Sequence, residues 1–348
     1  MATTNEVLLD DLLRLAAAAS ITPLVEHDLH GLRRSWQSCP LVVVGRDLAE
    51  SLASRQPAQR SGVVVVGSAL DGDELYRCAF DIGAEAVFRL PGEEPGLAGM
   101  LADTLDGGVR TAITLAFVGG CGGAGATTLA SAVAVFGNRR GFRTMLIDGD
   151  PLGGGIELAL GIERDVGDRW PKLLNASGRI SAAALRSALP TVEGLAVLSW
   201  EQSDVTVLPP ETMSSVLGAA QRRSDLVVVD LPRRADPAVE EGFISAAATL
   251  LVVPRDVRSV AAAKRLVGPL RAVAGDLRVV TRESRLNGLS ATDVASHLSL
   301  PLATNIGRER DLAAAMDQGR FDPRPRGPLA RAATALLDLF GLIEAAAA

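Results

Sequence analysis

Short apolar runs alternate with helix-like stretches in the first part of the chain. Residues 41–44 and 63–66 are continuous apolar runs, which are typical of parallel strands that are covered on both faces. Residues 85–89 form a third strand-like run, and residues 48–55 and 73–83 have the pattern of helices. This alternation predicts a small doubly wound α/β layer.

The same alternation continues with longer elements through the rest of the chain. Apolar runs predict six further strands, at residues 113–118, 144–148, 195–199, 225–230, 249–254 and 277–281. Helix-like stretches separate them, at residues 127–140, 180–190, 211–223, 257–274 and 291–298. A last helix from Pro328 is predicted to pack on the core through one apolar face, formed by Leu329, Ala332, Leu336, Phe340 and Ile343. The pattern therefore predicts a second, larger three-layer α/β domain with a mostly parallel sheet.

A break in the pattern divides the chain into domains at residues 1–108 and 109–348. The turn-rich residues 91–96, a short apolar helix and the flexible residues 106–108 precede the second set of strands. Residues 1–108 carry eight arginines and 16 acidic side chains, whereas the rest carries 27 basic and 25 acidic ones. Neither domain has the concentrated positive charge of a nucleic-acid surface, so no nucleic-acid partner is expected.

Composition limits the class of protein. The 348 residues are 48% hydrophobic and 22% charged, which suffices for a large core and excludes a disordered chain or a disulfide scaffold. Three widely spaced cysteines, an odd number, fit a reducing cytoplasm. No run reaches the roughly 18 apolar residues that a membrane span requires. We expect a cytoplasmic protein that meets membranes only indirectly.

A glycine-rich segment between the strand at 113–118 and the following helix is the strongest functional signal. Compared with the motif G-x-x-x-x-G-K-[ST], Gly120 and Gly125 have the required spacing and Thr127 has the hydroxyl position, but Ala126 stands in place of lysine. Backbone amides of such a turn form a nest for phosphate at the positive end of a helix. The predicted nucleotide-binding residues are Gly120, Cys121, Gly122, Gly123, Ala124, Gly125, Ala126, Thr127 and Thr128. The alternative is a glycine-rich turn without a ligand.

The missing lysine affects binding less than hydrolysis. Loss of one charge-assisted contact costs about 1.5–3 kcal/mol, which weakens binding by about one to two decades. Hydrolysis suffers more, because the lost contact strengthens in the transition state.

Carboxylates end two of the predicted strands. Asp148 and Asp150 follow the strand at 144–148, and Asp230 ends the strand at 225–230. The carboxyl ends of parallel strands are where ligands bind, and carboxylates there can hold Mg²⁺ or orient a water. Thr127, Asp148 and Asp230 are the predicted metal ligands, whereas Asp150 and Asp230 are the predicted catalytic residues. Each carboxylate could instead cap a helix or a turn.

The order of these motifs over residues 110–340 resembles the MinD/ParA group of deviant Walker A ATPases. That family's loop, K-G-G-x-G-K-T-T, falls on residues 121–128, with Cys121 at the signature lysine and Ala126 at the second lysine. The chain has many arginines and lysine only at Lys172 and Lys264, so a compositional bias would have supplied arginine at these positions. The resemblance implies ATP or ADP with Mg²⁺ as ligands and a nucleotide-sandwiched homodimer, to which the signature lysine contributes.

The resemblance also assigns roles to single residues. Asp150 falls at the switch I carboxylate and Asp230 at the Walker B position. Arg282 falls where the family reads the adenine with an Asn-Arg or Asn-Lys pair, from which Thr281-Arg282 departs. Arg233 and Arg234 follow the Walker B strand and are either phosphate ligands or a solvated, ion-paired surface pair.

The whole chain is similar to the CpaE/TadZ-like proteins and their septum-site-determining (Ssd-type) homologues. The segments that carry this resemblance are residues 35–36, 83–85, 88–91, 119–128 and 230–234. It implies a degenerate receiver-like (flavodoxin-like) domain before a MinD/ParA-like P-loop NTPase domain. The receiver's Lys-Pro is replaced by Leu90-Pro91, and the nearest carboxylate, Asp47, lies two residues beyond Gly45. We predict that this domain is not phosphorylated.

Three functions follow as hypotheses. The first is a nucleotide-binding regulator with weak or no ATP hydrolysis, which recruits proteins of the division or pilus/secretion machinery at the septum or pole. The second is a slow ATPase that drives positioning. The third is a ParA-like DNA-partition protein, which the charge distribution disfavours.

Overall fold

The structure is a computed structural model that describes residues 1–55, 57–58, 60, 62–105, 112–174, 180, 182–201, 207–234, 236–284, 288–309 and 312–343. The chain forms two compact units, Met1–Arg110 and Thr111–Ala348. The boundary that we predict, between residues 108 and 109, lies outside the described residues.

The first unit alternates helices with parallel strands. Its elements are α1 (Glu6–Ala18), α2 (Leu29–Ser35), β1 (Val42–Gly45), α3 (Arg46–Ala53), β2 (Val63–Ser68), α4 (Glu74–Asp81), β3 (Ala86–Leu90) and α5 (Glu94–Leu105). The strands pair in the order β1-β2-β3. In addition, Ala2 forms parallel bridges with both Glu26 and Val44. Counting these bridges as the first two strands, the order is 2-1-3-4-5, which is that of a flavodoxin-like sheet.

Both faces of this sheet are covered. Val42, Val44, Val63 and Val65 pack with side chains of α2, α3 and α4, whereas Val43, Val64 and Val66 pack with side chains of α1 and α5. The continuous valine runs are therefore explained by burial on two sides. The unit has three layers, as predicted.

In its described residues, the second unit forms a sheet of eight strands with helices between them. Its first half contains β4 (Ile113–Gly119), α6 (Ala126–Arg139), β5 (Thr144–Asp148), α7 (Ile156–Leu160), α8 (Trp170–Leu173), α9 (Ala182–Ala188), β6 (Thr191–Val192) and β7 (Leu195–Leu198). Its second half contains α10 (Pro210–Arg223), β8 (Leu226–Leu231), α11 (Pro237–Ile244), β9 (Ala248–Pro254), α12 (Val257–Val273), β10 (Leu277–Arg282), α13 (Ala291–Leu298), β11 (Leu302–Ile306), α14 (Leu312–Met316) and α15 (Pro328–Leu339).

The sheet of the second unit has the order β11-β10-β9-β4-β8-β5-β7-β6. All neighbouring strands are parallel except β6 and β7. Side chains of α6 and α15 pack on one face and those of α10, α11, α12 and α13 on the other. This confirms the predicted three-layer, doubly wound fold and places β4 in the middle of the sheet.

The last helix ends earlier than predicted. Leu329, Ala332 and Leu336 are buried, but α15 ends at Leu339 and Ile343 is 65% exposed. Gly341 has φ +77°, so the chain turns away after Phe340. The prediction that Ile343 belongs to the buried face was wrong. Among the described residues, no helix combines the length and the apolar character that crossing a membrane requires.

Candidate functional site

The glycine-rich loop lies at the carboxyl edge of the central strand. It joins the end of β4 to the start of α6, and β4 has β9 on one side and β8 on the other. The Gly120 amide donates to the Val252 carbonyl over 2.8 Å. A Cβ on Gly120 would lie 2.9 Å from both Ala263 Cβ and Val253 Cγ2, so only glycine fits this close approach.

The outer part of the loop is open. Gly122 and Gly123 are exposed, and a Cβ on Gly123 would meet nothing within 4 Å. Gly123 and Gly125 have φ values of +67° and +94°, which favour glycine. In the described part of the chain, the amides of Gly122, Gly123, Gly125, Ala126 and Thr127 donate to no acceptor. Amides without a partner at a helix N-terminus are what an anion requires.

Cys121 and Ala124 are the inward-facing residues of the loop. The Cys121 thiol lies 3.3 Å from the Ser259 hydroxyl, which in turn donates to Asp256 Oδ2 over 2.8 Å at the start of α12. Ala124 is buried, and its amide donates to the Cys121 carbonyl over 3.3 Å. Cys121, which the resemblance to the MinD/ParA ATPases aligns with the signature lysine, therefore contacts α12.

Thr127 and Asp230 meet across two elements. The Thr127 hydroxyl donates to Asp230 Oδ2 over 2.6 Å. Asp230 lies on β8 opposite Phe117 of β4 and opposite Asp148 of β5. The hydroxyl of Thr128 instead contacts the Met316 sulfur over 3.9 Å, at the end of α14. Of the two adjacent threonines, Thr127 is the one that contacts Asp230.

Burial raises the pKa values of both Asp148 and Asp230. Desolvation, and then the charge of Asp148, raises the pKa of Asp230 to about 8, although the Thr127 hydrogen bond opposes the shift. Desolvation likewise raises the pKa of Asp148 to about 6, against hydrogen bonds from Ile156 and Asp150. Without a cation, Asp230 is thus mostly protonated at neutral pH.

Asp148 holds the chain that follows β5. Its carboxylate accepts from the Asp150 amide (3.1 Å), the Ile156 amide (3.0 Å) and the Ser199 hydroxyl (3.2 Å). Its carbonyl accepts from the indoles of Trp170 and Trp200, at 2.6 and 3.0 Å. The two indoles stack with centroids 5.6 Å apart. The structure thus gives Asp148 a positioning role, and its role as a metal ligand stays a prediction.

Asp150 caps a turn. It is half-buried, and its Oδ1 accepts from the Leu152 amide over 3.1 Å. Across the described residues, no three His, Cys, Asp or Glu side chains are placed to hold a metal ion together. Mg²⁺ needs fewer protein ligands, because it keeps waters and takes phosphate oxygens. The oxygens of Thr127 and Asp230 fit such a site.

Two arginines lie against the loop. Arg282, at the end of β10, donates from Nη2 to the Gly123 carbonyl over 3.0 Å. Arg233, beyond the end of β8, has its Nη2 3.8 Å from the position of a Cβ on Gly122. Its neighbour Arg234 instead pairs with Asp236 at 3.5 Å. The two neighbouring arginines therefore differ in their surroundings: Arg233 lies at the loop, whereas Arg234 pairs with Asp236.

At the corresponding edge of the first unit, Asp47 and Asp71 are engaged by neighbouring side chains. A cleft of about 320 Å³ opens there, lined in part by Arg46, Asp47, Ser68, Asp71 and Leu90. Arg46 pairs with Asp71 at 3.0 Å and with Glu74 at 2.6 Å. Asp47 accepts three hydrogen bonds from Thr3 and Thr4. Leu90, where a receiver has its lysine, is buried.

Solved structures share the fold of the second unit. A ParA family ATPase from Chlorobium tepidum superposes with a TM-score of 0.58 at 14% identity, over 66% of this chain and 98% of that one. The septum site-determining protein MinD from Pyrococcus horikoshii, complexed with Mg-ADP, superposes with a TM-score of 0.57 at 18% identity, over 66% and 96%. The second unit thus has the MinD/ParA-type P-loop NTPase fold.

Sequence relatives cover both units. The family model of the Rv3660c-like, CheY-like N-terminal domain matches residues 2–112. The protein Rv3660c of Mycobacterium tuberculosis is 33% identical over 339 residues, which cover 96% of this chain and 95% of the relative. The chain belongs to the Rv3660c family. These findings confirm the receiver-like domain and the MinD/ParA-type fold, whereas the closer resemblance to CpaE/TadZ stays a prediction.

Proposed function

We propose that this protein binds ATP or ADP with Mg²⁺ at residues 120–128 and uses the bound nucleotide to position partner proteins. The observation that carries the proposal is the open loop at the carboxyl edge of β4. Its exposed glycines leave amides without acceptors at the start of α6, and the adjoining Thr127 and Asp230 offer oxygens to a cation. A nest of amides beside a hydroxyl and a carboxylate suits a magnesium-bound polyphosphate.

Each residue of the site has a separate task in this proposal. The loop amides hold phosphate oxygens, and Thr127 and Asp230 hold Mg²⁺, which when bound offsets phosphate charge. Asp148 fixes the turn that carries Asp150 through its bonds to the Asp150 and Ile156 amides. Asp230 would hold Mg²⁺ as a carboxylate, and the proton that burial retains on it would then pass to solvent.

Hydrolysis is expected to be weak or absent. Ala126 has no ammonium group, and the Cys121 thiol lies against Ser259. Asp150, the predicted switch I carboxylate, accepts a hydrogen bond within its own turn. The two lysines of the MinD/ParA loop, which would stabilise the charge that develops on phosphate during transfer, are therefore absent from residues 121 and 126. The protein acts as a nucleotide-dependent binder of other proteins.

The cellular role extends the proposal. The MinD of Pyrococcus horikoshii is a septum site-determining protein, and the CpaE/TadZ resemblance points to septum-site determination or to pilus/secretion localisation. The acidic receiver-like domain would dock protein partners, and the second domain would form a homodimer. The protein would then be cytoplasmic and recruited to the septum or pole.

Calorimetric titration with Mg-ATP and Mg-ADP tests nucleotide binding. The matched variants are G125A, which puts a Cβ where φ is +94°, and G268A, where a Cβ in helix α12 meets nothing within 4 Å. We expect one nucleotide per chain for the wild type and for G268A, with binding weakened at least tenfold in G125A. Absence of binding heat at millimolar nucleotide would contradict the proposal. Sizing with and without nucleotide then tests the dimer.

A slow ATPase is the second candidate, because two guanidinium groups lie at the loop. Phosphate release with Mg-ATP distinguishes it from a non-hydrolysing binder. Turnover that is present in the wild type and lost in D150A would favour the enzyme.

A further inference from the structure

The glycine loop lacks the charge that polyphosphate binding usually requires. The loop contains no lysine or arginine, and the nearest position for an ammonium group, residue 126, is alanine. Backbone amides alone carry partial charges, whereas a triphosphate carries several full negative charges. Side chains from outside the loop must therefore supply the compensating charge if the site binds nucleotide.

Two arginines reach the loop from opposite sides of β4. Arg282 ends β10, two strands away on the β9 side, and Arg233 follows β8 on the other side. The Arg282 Nη2 donates to the Gly123 carbonyl over 3.0 Å, and its Nη1 lies 3.3 Å from the position of a Cβ on Gly125. The Arg233 Nη2 lies 3.8 Å from the position of a Cβ on Gly122. The two guanidinium groups thus flank the three outer glycines.

Most donors of these two side chains are unused. A guanidinium has five N–H groups. Among the residues that the structure describes, the Arg282 side chain makes one hydrogen bond, to Gly123, and its buried Nε has no partner. Within the described ranges, Arg233 makes no hydrogen bond or ion pair, and the side chain is exposed.

Neighbouring arginines provide a contrast. Arg234 pairs with Asp236 at 3.5 Å, and Arg255, at the end of β9, pairs with Glu283 at 3.3 Å. Their charge is therefore partly neutralised by a carboxylate. Arg233 and Arg282 have no such carboxylate among the described residues, so their charge is available to an anion at the loop.

We propose that Arg233 and Arg282 are the phosphate-binding residues of this site and replace the two missing lysines from outside the loop. The inference rests on the proposed nucleotide binding and specifies its chemistry. The resemblance to the MinD/ParA ATPases assigns Arg282 to recognition of the adenine. Its hydrogen bond to the Gly123 carbonyl instead places Arg282 at the glycine-rich loop, where we propose that phosphate binds. Arginine binds phosphate oxygens in a bidentate manner, so the pair suits a chain of two or three phosphates.

The ligand preference follows from this arrangement. Recognition depends on the number of phosphates, so we expect affinity to fall from ATP to ADP and steeply to AMP. Inorganic tripolyphosphate, which has no base, is expected to bind and to compete with ATP. Binding is also expected to weaken with salt, because both guanidinium groups are solvent-accessible from the loop.

Calorimetric titration of the full chain with Mg-ATP, Mg-ADP, AMP and magnesium tripolyphosphate tests the proposal. The variants are R233Q and R282Q, with R234Q and R255Q as controls that remove the same charge nearby. We expect R233Q and R282Q each to weaken ATP and tripolyphosphate binding about tenfold, and the controls to stay within about twofold. Thermal melts of all four variants verify that each one folds.

Different outcomes separate the two proposals. If the wild type binds ATP and R282Q loses affinity for ATP but not for tripolyphosphate, Arg282 reads the base and the inference is overturned. Equal losses of affinity in R233Q, R282Q and the two controls would overturn it as well, because the effect would then come from the total positive charge and not from these two side chains. If the wild type binds neither ATP nor tripolyphosphate, the proposed function itself fails, and the inference with it.

Discussion

The hydroxyl of Thr127 donates a 2.6 Å hydrogen bond to Oδ2 of Asp230 and so joins the first turn of α6 to the end of β8. The two residues are 103 positions apart in sequence. Only the parallel pairing of β4 with β8 brings them together, since Asp230 lies opposite Phe117, shortly before the loop. The position of the proposed cation site therefore depends directly on the pairing of β4 with β8.

Replacing Thr127 with valine is expected to weaken Mg-ATP binding about tenfold. Valine keeps the shape of the side chain but removes the oxygen that bonds to Asp230 and that we propose as a ligand of Mg²⁺. Titrations with Mg²⁺ and with a chelator measure the effect. The loss should be confined to the magnesium-containing titration, because the loop amides are unchanged. An equal loss without Mg²⁺ would show that Thr127 acts on the loop and not on the metal.

The stability of the protein is expected to fall as pH rises towards 8. In the unfolded chain Asp230 loses its proton near its ordinary pKa of 3.8. In the folded protein burial raises the pKa of Asp230 to about 8, so the carboxyl group keeps its proton up to that pH. The folded state thus binds the extra proton, and that stabilisation is present below about pH 4 and lost as pH rises through 8. Over this range the effect amounts to at most about 1.4 kcal/mol for each pH unit.

Urea unfolding of the wild type and D230N at pH 6.5, 7.5 and 8.5 measures this contribution. Asp148 titrates near 6, so its contribution changes little over this range. The free energy of unfolding of D230N should depend less on pH than that of the wild type, and the variant should gain stability relative to it as pH rises. Parallel curves for the two proteins would contradict the assignment.

Burial explains how much of the fold the sequence predicts. The predicted strands all occur, because strands that are covered on both faces leave continuous apolar runs. The edge strand β11 was missed, since its residues are only partly buried and its sequence, LATNI, mixes polar with apolar side chains. The single bridges at Ala2 and Glu26 are too short to leave any pattern.

Helices at the start of the chain could have been found. Helix α1 begins after Asn5, whose side chain accepts from the Leu8 amide, and it buries Leu8, Leu12 and Leu15 at helical spacing. These leucines of α1 cover the face of the sheet that Val43, Val64 and Val66 form.

The candidate site was predicted in part. The loop and Thr127 were predicted from the spacing of a local motif, and Asp230 was predicted from its position at the end of an apolar strand. The bonds from Trp170 and Trp200 to the Asp148 carbonyl were not, since these residues lie 22 and 52 positions away and meet Asp148 only in the folded chain. The contact of Arg282 with Gly123 likewise depends on the strand order β10-β9-β4.

The first unit is expected to resist phosphorylation. Both oxygens of Asp47 accept hydrogen bonds from Thr3 and Thr4, and although burial acts to raise its pKa, these bonds lower it overall. The carboxylate is engaged, and Leu90 gives no ammonium group to a phosphoryl oxygen. Incubation with acetyl phosphate and Mg²⁺ should leave the intact mass unchanged under conditions that modify a functional receiver. A phosphoryl adduct lost in D47N would contradict this prediction.

Gly120 is expected to be the least replaceable glycine of the loop. In G120A the new Cβ would lie 2.9 Å from Ala263 Cβ and Val253 Cγ2, and 3.2 Å from the Val252 carbonyl oxygen. Such overpacking costs about 1–3 kcal/mol in the free energy of unfolding. The matched variant G122A meets only Arg233 Nη2, at 3.8 Å, and should stay close to the wild type. Denaturant unfolding of both variants measures the difference, and equal stabilities would mean that α12 moves away without cost.

Restoring a lysine at residue 126 is expected to tighten nucleotide binding. Residue 126 begins α6, directly after Gly125. In A126K, an ammonium group at this position would add a charge-assisted contact to phosphate. We expect this contact to raise the affinity for Mg-ATP about tenfold. C121K is the matched control, since it adds the same charge to the same loop at a side chain that contacts Ser259 at 3.3 Å. We expect C121K to gain less than A126K in calorimetric titration. Equal gains would mean that the loop responds to charge alone, and no gain in A126K would mean that phosphate does not lie over the start of α6.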